Sequence, residues 1–429
     1  MYCLLKRTAW NGWCCGFPKP GRSGDRSVIQ KVPSITRAAL AGIGPANLSC
    51  SEPMPRLLYL VSEDWYFLSH RLPMARAARA AGYDVHVLTR VVDGGPSIAR
   101  EGFILHPIPW KRGSTNPSAA LATICRVRAL YKHLKPDIVH HVAFAPAVLG
   151  SIAAIGLPMQ KLNALAGLGF VFTSNTLKAR VLRPLAQALL RFLLTRPGTT
   201  VLVQNPDDKA MVRGLGVRDD HIAHIPGSGV DVDELTPLPE PDGPFTVGFV
   251  GRLLYDKGVQ VLVRAHEILR QRGTPVTVLL AGAPDPSNPA SIPDDTLRGW
   301  RQTDGVTLLG HVGDVRTVWA RSHVAVLPSR REGLPMSLLE AAACGRPMIA
   351  TDVPGCREIV RPGFDGVLVP ADDAEALAGA IAQLLNNADL RAHYARNARA
   401  IAVNEFSTDH VAAAIIALYA KLTAAGAKP

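Results

Sequence analysis

Glu332-Gly-Leu-Pro-Met-Ser-Leu-Leu-Glu340 lies between the apolar run His323-Val-Ala-Val-Leu-Pro328 and the helix-like Leu338-Leu-Glu-Ala-Ala-Ala-Cys344, which Gly345 closes. A continuous apolar run reads as a parallel strand buried on both faces. Followed by a short polar loop and a helix, it is half of a βαβ unit. Ligands of such units bind where the strands end. Glu332 falls in the loop and Glu340 one to two turns into the helix, so two carboxylates face one crevice. The first helical amides, near Met336 and Ser337, point into it unpaired. An anion site flanked by two acceptors of hydroxyl groups suits a sugar nucleotide, whose diphosphate sits on a helix N-terminus and whose two polyol groups sit on carboxylates. Two glutamates eight residues apart are common and usually solvated, so the neighbouring sequence has to decide.

After the helix come Arg346-Pro-Met-Ile-Ala-Thr-Asp352, Val353-Pro-Gly-Cys-Arg-Glu-Ile359 and Phe364-Asp-Gly-Val-Leu-Val-Pro370. This ordered run resembles the donor-binding half of the retaining glycosyltransferases of the GT-B type, family 4, whose signature is a Glu, seven residues and a second Glu. Upstream, Asn163-Ala-Leu-Ala-Gly-Leu-Gly-Phe-Val-Phe-Thr-Ser174, Val203-Gln-Asn-Pro-Asp-Asp208 and Ile225-Pro-Gly-Ser-Gly-Val-Asp231 resemble the capsular-polysaccharide branch of that family. Members of that branch transfer sugars during bacterial surface-glycan assembly.

A chain of 429 residues is enough for two domains, and 48% hydrophobic with 19% charged residues is globular. No stretch of about 18 uncharged apolar residues occurs, so no transmembrane helix is expected. Seven Cys, with Cys14 and Cys15 adjacent, form neither a disulfide framework nor a zinc-ligand spacing, which fits a reducing cytoplasm. The net charge of +12 is uneven: residues 1–53 carry +5, residues 54–233 carry +9 (21 basic, 12 acidic), and residues 234–429 carry −2. A positive first half suggests a polyanionic surface, and without a nucleic-acid motif the anionic membrane is favoured over nucleic acid.

Residues 1–53 show no sustained period and read as a disordered extension. Gly42-Ile-Gly-Pro-Ala-Asn47 mimics part of a flavin-binding loop but opens no helix, since Ser51-Glu-Pro-Met-Pro55 follows. The first clean strand starts at Arg56, so Met54 is expected to be the true initiator. From there a regular α/β alternation makes residues 54–233 a Rossmann-like, acceptor-side domain. The stretch Ser62-Glu-Asp-Trp-Tyr-Phe-Leu-Ser-His-Arg-Leu-Pro73 reads as a loop without the paired glycines of many family members. His140 and His141 are read at the end of a strand, at the cleft edge. The resemblance implies a functional His there, and the two are not told apart. Gly167 and Gly169 allow close backbone approach to a ligand, or simply tight packing. Across Lys178–Arg196, Arg180, Arg183, Gln187 and Arg191 repeat at helical spacing among leucines, and Pro184 is expected in a first turn or at a break. Such a helix lies in an anionic interface or packs on the core with a solvated Arg face.

Asp231-Val-Asp233 has the form of a metal motif, but it follows Gly229 at an interdomain turn and is assigned no metal. Residues 234–405 form the nucleotide-sugar domain and residues 406–429 a helix that crosses back to the first domain. In Gly251-Arg252-Leu-Leu-Tyr-Asp-Lys257-Gly258, a glycine and two cations between strand and helix suit a diphosphate. The loop at His311 and Val312 is expected to hold the base through backbone groups. The fold expected is α/β, with two Rossmann-like domains facing across a cleft. The resemblance implies that Glu332 binds sugar hydroxyls, Glu340 the ribose, and Arg252 and Lys257 the diphosphate beside Gly251. The amides of Leu334, Met336 and Ser337 would approach sugar and phosphates, while Pro335 offers none. His140, His141, Glu332, Arg252 and Lys257 are the candidate catalytic residues.

The expected activity is retaining transfer from a nucleotide sugar, a UDP-hexose or UDP-N-acetylhexosamine, to a lipid-linked saccharide such as one on undecaprenyl diphosphate. No metal or other cofactor is expected, and the place is the inner face of the cytoplasmic membrane. Two rivals are a nucleotide-sugar epimerase on the same architecture, separable by product analysis with and without acceptor, and a non-catalytic membrane or nucleic-acid binding protein. The second has no use for four coordinated groups at 252, 257, 332 and 340.

Overall fold

The computed structural model describes residues 54–110, 116–165, 177–286 and 288–426 and, within the helix Leu177–Leu194, the side chains from Arg183 onward. The readings of residues 1–53, Gly167 and Gly169, and of the Arg180 side chain, lie outside the described residues.

The first sheet contains β1 (Arg56–Leu60), β2 (Asp84–Thr89), β3 (Ile104–Pro107), β4 (Ile138–Val142), β5 (Gln160–Ala164), β6 (Thr199–Val203) and β7 (Ile222–His224). Its order is β3-β2-β1-β4-β5-β6-β7, with every pair parallel. The second sheet contains β8 (Thr246–Val250), β9 (Thr277–Ala281), β10 (Val306–Gly310), β11 (Val324–Leu327), β12 (Met348–Thr351) and β13 (Gly366–Val369). It is also parallel throughout, in the order β10-β9-β8-β11-β12-β13. Leu57 to Leu60 in β1, and Val324 and Ala325 in β11, are fully buried, as continuous apolar runs covered by helices on both faces must be. Asn116, Asn205, Asp373 and Asn387 cap the helices that follow them, each side chain accepting from an amide two or three residues on.

Ser62–Pro73 is not a loop. Asp64–His70 and Leu72–Ala80 are helices that break at Arg71. The Asp64 carboxylate fixes the start, because Oδ1 accepts from Trp65 N at 2.8 Å and Oδ2 accepts from the Val92 and Gly94 amides at 2.7 Å. Pro184 lies inside one continuous helix, Leu177–Leu194, rather than in a first turn or at a break.

Two segments join the sheets and pair with each other. Val230 N donates to Phe406 O at 2.8 Å and Thr408 N to Val230 O at 2.9 Å. Gly229, at φ +77°, is required there, since a Cβ would lie 2.7 Å from Thr408 Cα. The helix Thr408–Gly426 then packs on Leu72–Ala80 and on β4 and β5. Arg399 holds the linker to the second sheet's domain by donating to the carbonyls of Val232, Leu235 and Ala343.

Candidate active site

In the second sheet the connections reverse direction between β8 and β11, and a crevice opens at the carboxyl ends of these neighbouring strands. β8 leads to Gly251 and Arg252, and β11 leads to Ser329 and Glu332. Gly258, at φ +68°, brings the two loops together, because a Cβ there would lie 1.9 Å from Pro328 O. Gly282 does the same for β9, where a Cβ would meet Gly251 O at 1.8 Å. Backbone therefore approaches backbone at the base of the crevice, and only glycine allows it.

Lys257 Nζ lies 2.5 Å from Glu332 Oε1, and Ser329 Oγ donates to the same oxygen at 2.6 Å. The Glu332 side chain is 9% exposed and that of Lys257 23%, so this pair is largely shielded from water. Arg252 Nη1 lies 2.8 Å from Asp285 Oδ2, with the guanidinium about half exposed. Two cations thus stand at the strand ends, each held by a carboxylate.

The helix Met336–Ala343 begins at the same crevice, with Pro335 as its N-cap and Met336 and Ser337 in its first turn. Its first amides have no intrahelical acceptor and carry the positive end of the helix dipole. Glu340 lines a cavity of about 850 Å³ shared with Gly313, Asp314, Val315, Arg316 and Met336. Only part of its surface meets that cavity. Burial pushes its carboxyl up to about 7. His311 is exposed and Val312 half-buried where β10 ends at the sheet edge.

The first domain braces this loop. Asn205 Nδ2 donates to Gly333 O at 3.0 Å, and Leu334 Cδ2 sits where a Cβ on Gly227 would be, at 2.4 Å. His224 also faces Glu358 at 3.4 Å, and the contact raises the imidazole pKa. Sequence reasoning missed Asn205, Ser329 and Asp285 as parts of the site. The Asn205-Pro206 pair does carry a readable signal, that of a helix start.

His140 and His141 stand next to the carboxyl end of β4, respectively two residues and one before its last residue, with His141 in register with Leu60 at the end of β1. Val142 ends β4, and both imidazoles are fully buried. Successive strand residues point to opposite faces, so each histidine meets a different helix. His140 Nδ1 is 2.7 Å from Tyr419 Oη, itself 2.7 Å from Tyr59 Oη. On the other face His141 Nδ1 donates to Asn163 Oδ1 at 2.7 Å, and Nε2 accepts from Tyr131 Oη at 2.9 Å. Burial lowers the His141 pKa to about 4 and that of His140 well below its ordinary value, so both are neutral parts of the core.

Asp231 makes a turn, its Oδ1 accepting from the amides of Asp233 and Glu234 at 3.1 and 2.8 Å. On the described part of the helix Leu177–Leu194, from Arg183 onward, the exposed large apolar residues are Leu185 (69%), Phe192 (52%) and Leu189 (39%). They share one face, with Arg196 lying over the Phe192 ring at 4.8 Å. The buried face carries Leu190, Leu193 and Leu194. Of the basic repeat, Arg183 is half-buried while Gln187 and Arg191 are exposed. Among the described residues no helix is long and apolar enough to cross a membrane.

Residues 56–205 match the family model of glycosyl transferase 4-like domains, and residues 244–387 that of glycosyl transferases group 1. The chain is 25% identical over 354 residues to the N,N'-diacetylbacillosaminyl-diphospho-undecaprenol alpha-1,3-N-acetylgalactosaminyltransferase of Campylobacter jejuni, covering 77% of this chain and 92% of that protein. It is 33% identical over 164 residues to the capsular polysaccharide biosynthesis glycosyltransferase CapM of Staphylococcus aureus, covering 38% and 43%. Among solved structures, sucrose-phosphate synthase from Thermosynechococcus elongatus aligns with a TM-score of 0.72 at 22% identity, covering 86% of this chain and all of that one. Anabaena Alr3699/HepE in complex with UDP and glucose aligns at 0.68 and 18%, with the same coverage. With two parallel sheets, a crevice at the strand ends and a glycosyltransferase model on each half, the chain belongs to the GT-B glycosyltransferases.

Proposed function

We propose that the chain is a retaining glycosyltransferase that moves a hexose or N-acetylhexosamine from a UDP-sugar to a lipid-linked saccharide in bacterial surface-polysaccharide synthesis. The observation that carries this reading is the convergence of Arg252, Lys257, Glu332 and the N-terminus of Met336–Ala343 on one crevice at the reversal between β8 and β11. Transfer leaves a nucleoside diphosphate with growing negative charge. Two cations and a helix N-terminus already oriented toward it stabilise that charge without reorganisation. The diphosphate competes with Glu332 for Lys257, and Glu332 in turn accepts hydroxyls of the donor sugar. Glu340 takes the ribose. These positive groups make a divalent ion unnecessary to the reaction as proposed.

The lipid-linked acceptor is supported by the undecaprenol-linked substrate in the name of the Campylobacter relative, and the UDP donor by the HepE complex. The excess of 21 basic over 12 acidic residues in 54–233, with the apolar face of Leu177–Leu194, supports a peripheral place at the inner face of the cytoplasmic membrane. Nucleic acid has no part in this reading.

UDP-sugar turnover in Arg252→Ala and Lys257→Ala tests the assignment. Each is expected to lose on the order of 10²-fold in rate, as typically follows removal of one preorganised charge stabiliser. Unchanged turnover in both folded variants refutes it, and a product of inverted anomeric configuration refutes retention.

A further inference from the structure

At the carboxyl ends of β1, β2 and β3 a groove of about 1040 Å³ opens, lined by Glu63, Trp65, Val92, Asp93, Trp110 and, from the second domain, Asp285. It contains two large apolar residues left in water, Trp65 at 48% exposed and Val92 at 53%. Neighbouring exposed apolar side chains in a concave surface mark a place that a ligand covers.

The backbone that carries Trp65 is held in position. Its amide donates to Asp64 Oδ1, and the other Asp64 oxygen ties the β1 loop to the amides of Val92 and Gly94 on the facing wall. The indole meets Tyr66 edge-on at 5.7 Å and 79°, and Tyr66 is stacked on His70 at 4.3 Å. An aromatic face fixed in advance costs little entropy when a ligand settles on it.

The charge of the groove runs against that of its domain. Among the described residues four carboxylates, Glu63, Asp64, Asp93 and Asp285, line it against one guanidinium, Arg90, which already lies 3.3 Å from Glu63. Asp285 is paired with Arg252 outside it. Phosphates and carboxylates are repelled here. A pyranose ring suits the groove instead, because its axial C–H face lies flat on an indole while its equatorial hydroxyls donate to carboxylates.

We propose that this groove binds the terminal sugar of the acceptor, an uncharged pyranose stacked on Trp65 with hydroxyls on Glu63, Asp93 and Asp285, and that it rejects uronates and sugar phosphates. The proposal rests on the glycosyltransferase reading for the word acceptor, but saccharide binding can be measured without it. Asp285 pairs with the cation assigned to the donor diphosphate, so the groove also abuts the donor crevice.

The test uses the full chain. Uncharged mono- and disaccharides of gluco, galacto and manno configuration, with their N-acetylated forms, glucuronate and glucose 1-phosphate, are titrated by saturation-transfer NMR and tryptophan fluorescence. At least one uncharged sugar is expected to bind, on the order of 10-fold more weakly to Trp65→Ala and with most affinity kept in Trp65→Tyr. Asp93→Lys should weaken the uncharged sugar and admit glucuronate, and this arm decides the matter if Trp65→Ala does not fold. No binding by any uncharged sugar overturns the proposal, as do equal binding by Trp65→Ala and tighter binding of charged sugars to the wild type. UDP-sugar hydrolysis is followed separately. Hydrolysis without saccharide binding sinks the groove alone, whereas saccharide binding without hydrolysis sinks only the transferase reading.

Discussion

Replacing Glu340 with Gln tests both the burial of the donor crevice and the role given to it. The Glu340 carboxyl is raised from its ordinary 4.5 to about 7 by burial. The folded protein therefore holds this proton more tightly than the unfolded chain does. Stability from this group is full below about pH 4.5 and is lost as pH rises through about 7. A pKa difference of about 2.5, at about 1.36 kcal/mol for each whole step, makes the loss roughly 3 kcal/mol by pH 8. That is an upper figure, because part of the side chain faces an open cavity. Gln keeps the shape and never ionises. Urea unfolding of wild type and Glu340→Gln from pH 4 to 8 should show the variant gaining up to about 3 kcal/mol on the wild type between the two ends. In the proposed function, ribose hydroxyls donate to the ionised carboxylate, so UDP affinity should rise with pH through about 7 in the wild type and stay flat in the variant. Parallel stability profiles would show that the carboxylate is not desolvated. A pH-dependent rise in UDP affinity that persists in the variant would move the ribose contact elsewhere.

Tyr419→Phe should destabilise the protein by about 1–3 kcal/mol, since it leaves Tyr59 Oη and His140 Nδ1 buried without their partner. Denaturant midpoints measure it, and a neutral result would mean that water replaces the hydroxyl. Changing Leu185, Leu189 and Phe192 together to Gln should reduce co-sedimentation with anionic vesicles at least about tenfold, because each buried apolar side chain is worth about 1.5–3 kcal/mol. Equal sedimentation of variant and wild type would exclude this face as the membrane contact.

The parts of the site that lie close together in the chain are legible in the sequence alone. A strand, a polar loop and a helix N-terminus occur within Val324–Ala343, so a period change and two glutamates locate the crevice and its anion-binding end. The Arg252 and Lys257 loop is equally local. The surroundings of the histidines are not legible in the run Ile138–Val142: β4 ends one residue after His141, and both imidazoles are fully buried rather than exposed. Their partners, Tyr131 on one helix and Tyr419 on another 279 residues from His140, have no local signature. The helix Leu177–Leu194 misleads for a different reason. Period alone gives two faces, basic and apolar, and does not say which one turns inward. Here, from Arg183 onward, one set of leucines is buried and another, with Phe192, is exposed, so this part of the helix is apolar on two sides.

The two carboxylate-lined regions differ in a way that only the assembled fold shows. At the proposed donor crevice the carboxylates accompany cations and a helix N-terminus, so a diphosphate that took up Lys257 would leave Glu332 with Ser329 Oγ and the hydroxyls of the donor sugar as its partners. At the groove beside Trp65, among the described residues, four carboxylates meet one guanidinium and, as proposed, a phosphate gains no such exchange there. Loops after β1, β2 and β3 and a residue from the second domain are needed to build that groove, and they span Glu63 to Asp285 in the chain. On the two proposals, the chain presents an anion-accepting wall and an anion-rejecting wall on either side of Asp285, an asymmetry that would orient a donor with a diphosphate at its reacting sugar against an acceptor with a neutral hydroxyl.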